Sequence, residues 1–316
     1  MKLSSIVVPV LSSHIGLTHA GPVLPSRDPA NVPTIFQLAN NITWFENLAV
    51  RSNGEIIATR MDAPELWLID PRGRTGRNLV TIPGIRGIQG ITEVNPNVFV
   101  VTAGNYTVNP VVVSPGSMGV YRVDLTQRKP VVIRAAALPD SIFLNGVARW
   151  NDREVLVADT EASAVYRVNV ATGATATVLS GPDFATVNGL AVQGRNLYYT
   201  STGNQTFFRV QLQQDATAAG PVQPIFSGRP MDDFALAEDG TAYISTMEQN
   251  LVIEVSPQGR EKTIAGATDS LAVAASSSVR FAPDRKSLYV TTSGGTLAPI
   301  FGTLMEPAKI VQVRLG

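Results

Sequence analysis

The chain has 316 residues, 44% of them apolar and only 16% charged, against a charged share of about 25% in ordinary soluble domains. That composition excludes a disordered, charge-rich chain, and 25 basic against 25 acidic side chains exclude a global field that would draw nucleic acid or an anionic membrane. There is no cysteine and there are two histidines, His14 and His19, so disulfides, thiolate zinc sites and cysteine nucleophiles are ruled out.

The N-terminus begins Met1-Lys2, continues with an apolar stretch from Ile6 to Leu11, and reaches Leu17-Thr-His-Ala20 before Gly21. A basic start, an apolar middle and small residues before a break read as a secretory signal over residues 1–20, with Ala20 the last residue removed. Both histidines leave with it, and with them any His-based triad. Residues 21–33 read as an extended leader. Three N-x-[ST] sequons, at Asn41, Asn105 and Asn204, fit glycosylation during secretory passage, so the expected location is the secretory pathway or the cell exterior. No later apolar run approaches the roughly 18 residues of a membrane span.

From residue 34 onward one phrase repeats. A polar residue leads a short apolar strand at Glu46-Asn-Leu-Ala-Val, Gln89-Gly-Ile-Thr, Asn145-Gly-Val-Ala, Asn188-Gly-Leu-Ala-Val, Asp232-Asp-Phe-Ala-Leu and Ser277-Ser-Val-Arg-Phe. A second strand follows, mostly closing on Thr or Ser: Glu55-Ile-Ile-Ala-Thr, Val98-Phe-Val-Val-Thr, Glu154-Val-Leu-Val-Ala, Leu197-Tyr-Tyr-Thr, Ala242-Tyr-Ile-Ser and Leu288-Tyr-Val-Thr-Thr. Alternating third strands include Glu65-Leu-Trp-Leu-Ile and Ala164-Val-Tyr-Arg-Val, and Asn53-Gly54 and Asp239-Gly240 supply hairpin turns. The leading residues lie 43, 56, 43, 44 and 45 residues apart. A period in the forties with four strands per unit predicts an all-β fold, a six-bladed β-propeller spanning residues 34–316. The long second interval holds an insertion from about Ala103 to Met118, and a second insertion, Gly294 to Pro307, interrupts blade six. Thr34-Ile-Phe-Gln-Leu-Ala39 is predicted to close the ring by adding a strand to the last blade beside Lys309-Ile-Val-Gln-Val-Arg314.

The first strand of each propeller blade lines the channel, so the six leading residues, Glu46, Gln89, Asn145, Asn188, Asp232 and Ser277, form a ring. All bear oxygen and none is a cation. Such a ring suits Ca²⁺ or Mg²⁺ better than softer metals. Equally, these residues fit strand starts and turns that hydrogen-bond one another around water.

The pattern resembles the gluconolactonase/regucalcin (senescence marker protein) six-bladed propellers. The resemblance rests on Glu46 in Phe-Glu-Asn-Leu, Asn145 in Leu-Asn-Gly-Val, Asn188 in Val-Asn-Gly-Leu-Ala and Asp232 in Met-Asp-Asp-Phe-Ala-Leu. It implies that these four would hold one divalent cation and that Asp232 would serve as the hydrolytic base. Two features depart from that family's lactonases. Phe143 stands where they carry an Arg two positions before the blade-three Asn, and the nearest carboxylates to their substrate-binding Glu, Asp159 and Glu161, are out of register.

The loops over the channel are instead apolar and aromatic. They carry Trp44, Phe45, Phe143, Phe184, Met231, Tyr106 and a blade-six lid, Leu297-Ala-Pro-Ile-Phe301. Any one of these by itself fits packing between blades better than contact with a ligand, but together they predict a mostly apolar mouth sized for a terpenoid. In overall organisation the chain resembles the fungal hetero-Diels–Alderases of tropolonic sesquiterpenoid pathways. That resemblance implies a pericyclase joining a reactive quinone methide to a humulene-type olefin, with Trp44, Phe143, Phe184, Met231 and Phe301 holding the substrates. Tyr106, Asn188 or Gln89 would polarise the diene carbonyl. A cycloaddition needs no cofactor, only two apolar partners held close and kept from water. Three classes compete: this pericyclase, a metal-dependent lactonase using Asp232 and a metal-activated water, and a propeller that only binds a ligand.

Overall fold

The computed structural model describes residues 32–316 together with the backbone of a two-residue strand, Ile6–Val7. The expected signal segment, 1–20, and most of the expected leader, 21–33, lie outside the described residues, as do His14 and His19. Six antiparallel sheets of four strands are arranged as the blades of a propeller. Their inner strands are Phe45–Val50, Gly87–Asn95, Leu144–Arg149, Val187–Gln193, Phe234–Leu236 and Ser276–Phe281, and each contacts the next around a closed ring. Among the described residues the only helical turn is a short 3-10 segment, Pro182–Phe184. The fold is the predicted all-β, six-bladed propeller.

The Thr or Ser that closes the second strand has a packing reason. Thr59, Thr102, Thr200 and Ser245 each donate a hydrogen bond to the backbone carbonyl of the next blade's ring residue, Gln89 (2.7 Å), Asn145 (2.6 Å), Asp232 (2.5 Å) and Ser277 (2.8 Å). Thr102 Oγ1 also accepts from the Gly90 N–H of its own blade at 2.9 Å. Each such hydroxyl is buried and ties two blades together where no ladder runs between them. Thr102→Val should orphan a carbonyl and an N–H at once, costing about 2–6 kcal/mol at 1–3 kcal/mol per buried group. A denaturant midpoint unchanged by that substitution would remove the hydroxyl from the account.

Ring closure follows the sequence reading. Thr34–Gln37 adds to Lys309–Arg314 with Phe36 opposite Ile310 and Gln37 opposite Lys309. The strand ends at Gln37 rather than residue 39, but Leu38 continues the contact through its N–H to the Ala308 carbonyl (3.0 Å). Ile35 and Leu38 are buried with Ile310 and Ala308, whereas Val313, expected beside them, packs in the neighbouring cluster with Val311. Removing residues 34–38 exposes an edge and takes the Ile35 and Leu38 side chains off Ala308 and Ile310, so stability should fall by at least about 3 kcal/mol. Urea melts and light scattering check this, and an unchanged monomeric melt would refute the closure.

Both insertions leave between the second and third strands of their blades. The blade-two insertion is a hairpin, Tyr106–Val108 and Val111–Val113, whose free edge pairs with the Ile6–Val7 backbone. The blade-six insertion is a loop closed by a bridge between Ile300 and Leu304.

Candidate functional site

Five of the six inner strands carry a register irregularity at the ring position. The shift falls between Phe45 and Leu48, Ile88 and Ile91, Leu144 and Val147, Val187 and Leu190, and Ser276 and Ser278. A bulge re-aims the residues within it. It turns Glu46, Gln89, Asn145 and Asn188 toward one mouth of the channel, and Asp232, just ahead of the short blade-five strand, joins them. The glycines that follow are needed for close approach. A Cβ on Gly90 would lie 2.6 Å from the Asn145 carbonyl, and one on Gly146 would lie 2.3 Å from that of Asn188. On the other side of the ring the corresponding residues, Asn47, Asp233 and Ser278, fill the channel. Asp233 Oδ2 accepts from Asn47 (2.8 Å), Ser278 (2.9 Å) and Arg280 (2.8 Å), a largely buried plug across the channel.

Above this plug lies a cavity of about 200 Å³. Its floor is Glu46, Gln89, Asn145, Asn188 and Asp232, and its walls include Trp44, Met61, Val111, Phe143, Met247 and Leu297. Val111 comes from the blade-two hairpin and Leu297 from the blade-six loop, so both insertions reach over the same mouth. The sixth ring residue, Ser277, is withdrawn; its hydroxyl donates to the Phe45 carbonyl at 2.6 Å. The volume falls below the roughly 300–1,000 Å³ of common small-molecule sites. This differs from a cavity sized for a whole terpenoid, because Tyr106 and Phe143 pack edge to face (5.4 Å between centroids) and take up space beside it.

The floor has unspent polar capacity. Both oxygens of Asp232, both amide atoms of Gln89 and Oδ1 of Asn188 are buried without a hydrogen-bond partner. Asn188 spends its NH₂ on Thr202 (3.0 Å). Glu46 Oε2 accepts from the Trp44 indole N–H at 2.5 Å. Burial pushes the Glu46 carboxyl up to about 7 against the lowering effect of that indole bond, with Asp233 adding to the rise. Burial likewise raises Asp232 well above the usual carboxylate range, reinforced by Glu46 and Asp233 and opposed by the nearby Asn188 amide. Both carboxyls therefore hold their protons more tightly than exposed carboxylates do.

Five sequence-predicted residues lie elsewhere. Phe45 is fully buried against Phe36 and Trp67, away from the cavity. Phe184 sits in the 3-10 turn stacked on Tyr199 (5.1 Å), between blades three and four. Met231 is fully buried against Phe207 and Phe234. Phe301 occupies the tip of the blade-six loop, 73% exposed and away from the cavity. Tyr106 is buried behind the wall, its unpartnered hydroxyl lodged where Gly87 has no side chain: a Cβ there would be 2.5 Å from it. Burial and the Glu46 charge drive that phenol's pKa up, and Gln89 is near enough to oppose them without reaching hydrogen-bond geometry. Of the sequons, Asn41 and Asn204 are exposed and Asn105 is half-buried; Asn204 stands between two cavity-lining residues, Gly203 and Gln205. Asp159 is a loop cap, accepting from the Ile142 and Phe143 N–H groups at 2.9 Å. Glu161 and Glu248, by contrast, line the cavity although the ring pattern does not point to them. Both follow a second strand, where the insertions also leave, and that common position was the available signal.

The donor set fits a hard divalent cation. Two carboxylates stand with two amides, and the Asp232 and Asn188 oxygens lack any other partner. Among the described residues no cluster of three His, Cys, Asp or Glu exists, so the amides would have to complete the coordination.

Such a ring on such a fold defines the class: a six-bladed β-propeller with an apolar-walled cavity at one mouth. Among solved structures the chain is similar to a luciferin-regenerating enzyme, with a TM-score of 0.69 at 15% identity over 91% of this chain and 96% of that one. It is similar also to a calcium-binding regucalcin from Agrobacterium tumefaciens C58, with a TM-score of 0.65 at 13% identity over 88% and 93%. Those likenesses concern the fold. In sequence it is similar to a candidate hetero-Diels–Alderase from Phoma sp, 22% identical over 322 residues, covering 87% of this chain and 88% of the relative. No protein-family model matches the chain.

Proposed function

We propose that the protein is a pericyclase, a hetero-Diels–Alderase that joins a reactive quinone methide to a humulene-type olefin in fungal secondary metabolism. The observation that carries this reading is the division of the cavity into an apolar wall and a polar floor with unused donors. A cycloaddition forms two σ bonds from π electrons, and no atom leaves and no proton is abstracted. The residues' task is placement. Trp44, Phe143, Val111 and Leu297 press the two partners into a near-attack arrangement, which supplies several kcal/mol. The Gln89 NH₂ group, and the Asp232 carboxyl in its protonated form, donate to the diene carbonyl and draw electron density from it. The lid exclude water that would quench the electrophile. At about 200 Å³ the cavity takes the reacting ends, and the rest of the olefin extends through the mouth. The similarity to the Phoma protein supports the same reading. Incubating the protein with a tropolone quinone methide precursor plus humulene tests it: a stereodefined cycloadduct is expected, and a racemic adduct formed at the uncatalysed rate would overturn it.

The unpartnered oxygens of Asp232 and Asn188 favour one second reading, a metal-dependent lactone hydrolase. There Glu46, Asn145, Asn188 and Asp232 would hold Ca²⁺ or Mg²⁺, which supplies Lewis-acid polarisation of a carbonyl and an activated water. Asp232 would take up the proton.

A further inference from the structure

The charge of the cavity is one-sided. Four acidic residues line it, Glu46, Glu161, Asp232 and Glu248, and no Lys, Arg or His does, in a chain whose 25 basic and 25 acidic residues balance as a whole. The cations near the lining residues in sequence are committed elsewhere. Arg60 pairs with Asp62 and Glu65, and Arg229 pairs with Glu261. Glu161 and Glu248 are half-buried and have no hydrogen-bond or ion-pair partner among the described residues. Beneath them the fully buried Gln89 amide and Asp232 carboxyl lack partners as well, so the site is built to meet the polar end of a ligand.

We infer that this cavity takes neutral or cationic organic ligands and turns away organic anions, with Glu161 and Glu248 setting that preference at its rim. An anion entering here loses its hydration and gains no compensating cation, a cost that burial of an unpaired charge always carries. It also meets two carboxylates at the mouth. A cation finds those carboxylates together with the Trp44 and Phe143 rings, and a neutral molecule pays neither penalty. An acidic hydroxytropone would thus be taken up in its protonated form, and a hydroxy-acid product would be expelled. The inference concerns ligand charge in the metal-free cavity and does not require that the site perform a cycloaddition.

Three probes of one shape test it: 4-tert-butylbenzyl alcohol, 4-tert-butylbenzylammonium and 4-tert-butylbenzoate, each titrated calorimetrically into the full chain at low salt. The benzoate should bind at least about tenfold more weakly than the alcohol, and the ammonium as well as the alcohol or better. In the double variant Glu161→Gln/Glu248→Gln, the ratio of ammonium to benzoate affinity should fall by about tenfold or more. Thermal melts confirm that this variant folds, and the single variants serve if it does not. Benzoate binding as tight as the alcohol, a ratio unmoved by the substitutions, or no saturable binding by any of the three overturns the inference. Loss of cycloaddition with the charge series intact would overturn the pericyclase reading and leave this one standing.

Discussion

Gly146→Ala should cost about 3–5 kcal/mol and dismantle the floor of the cavity with it, far beyond the usual effect of adding one methyl. The new Cβ would meet the Asn188 carbonyl at 2.3 Å and the Gly189 Cα at 3.0 Å. Both are backbone, so neither can swing aside. The same crowding recurs at Gly189, where a Cβ would lie 2.8 Å from the Asp233 Cα. Relief requires blades three and four to separate, which displaces Asn145 and Asn188 and loosens the inner strands around the axis. Gly194 provides the contrast: it lies in an exposed turn at φ 60° with nothing near its missing Cβ, so Gly194→Ala should cost only about 1–2 kcal/mol. Denaturant unfolding of the two variants checks the difference. Equal midpoints would mean that the close approach of inner strands is not what demands glycine.

These glycines also explain how much of the molecule was legible in the sequence. The Asn-Gly and Gln-Gly pairs recur because the pleat that turns an amide into the cavity leaves no room for a side chain on the next residue. Threonine recurs at second-strand ends because one hydroxyl ties two blades. Such geometric demands repeat with the fold, so period and ring residues could be read directly. The aromatic wall could not. Trp44 and Phe143 face the cavity while Phe184 and Met231 face neighbouring blades, and the difference lies in loop backbone such as the 3-10 turn at Pro182–Phe184, which has no period. Asp232 and Asp233 look alike in sequence. One sits unpartnered on the cavity floor and its neighbour is locked to Arg280 in the channel at 2.8 Å, a distinction made by the third dimension alone.

Phe143→Ala should lower cycloaddition turnover by about 100-fold, whereas Asp232→Asn should stay within about tenfold of the wild type. Phe143 forms wall and support at once: it lines the cavity and braces Tyr106 of the blade-two hairpin at 5.4 Å. Its loss opens space beside the reacting ends, and a misplacement of about 1 Å is enough for a hundredfold loss when placement is the whole of catalysis. Shortening the blade-six loop so that Leu297 is lost should act in the same direction by admitting water. Asp232→Asn keeps a hydrogen-bond donor at the floor and removes only a proton acceptor, which a cycloaddition does not use. The hydrolase reading reverses the order, since there Asp232 takes up a proton and helps to hold the cation, so Asp232→Asn and chelation should each abolish lactone turnover. Measuring kcat and KM for all three variants with the quinone methide precursor plus humulene, and separately with simple lactones in the presence and absence of chelator, separates the two. Chelator-sensitive lactone hydrolysis that vanishes in Asp232→Asn, with no cycloadduct from any variant, would sink the pericyclase and assign the orphaned oxygens of the floor to a metal.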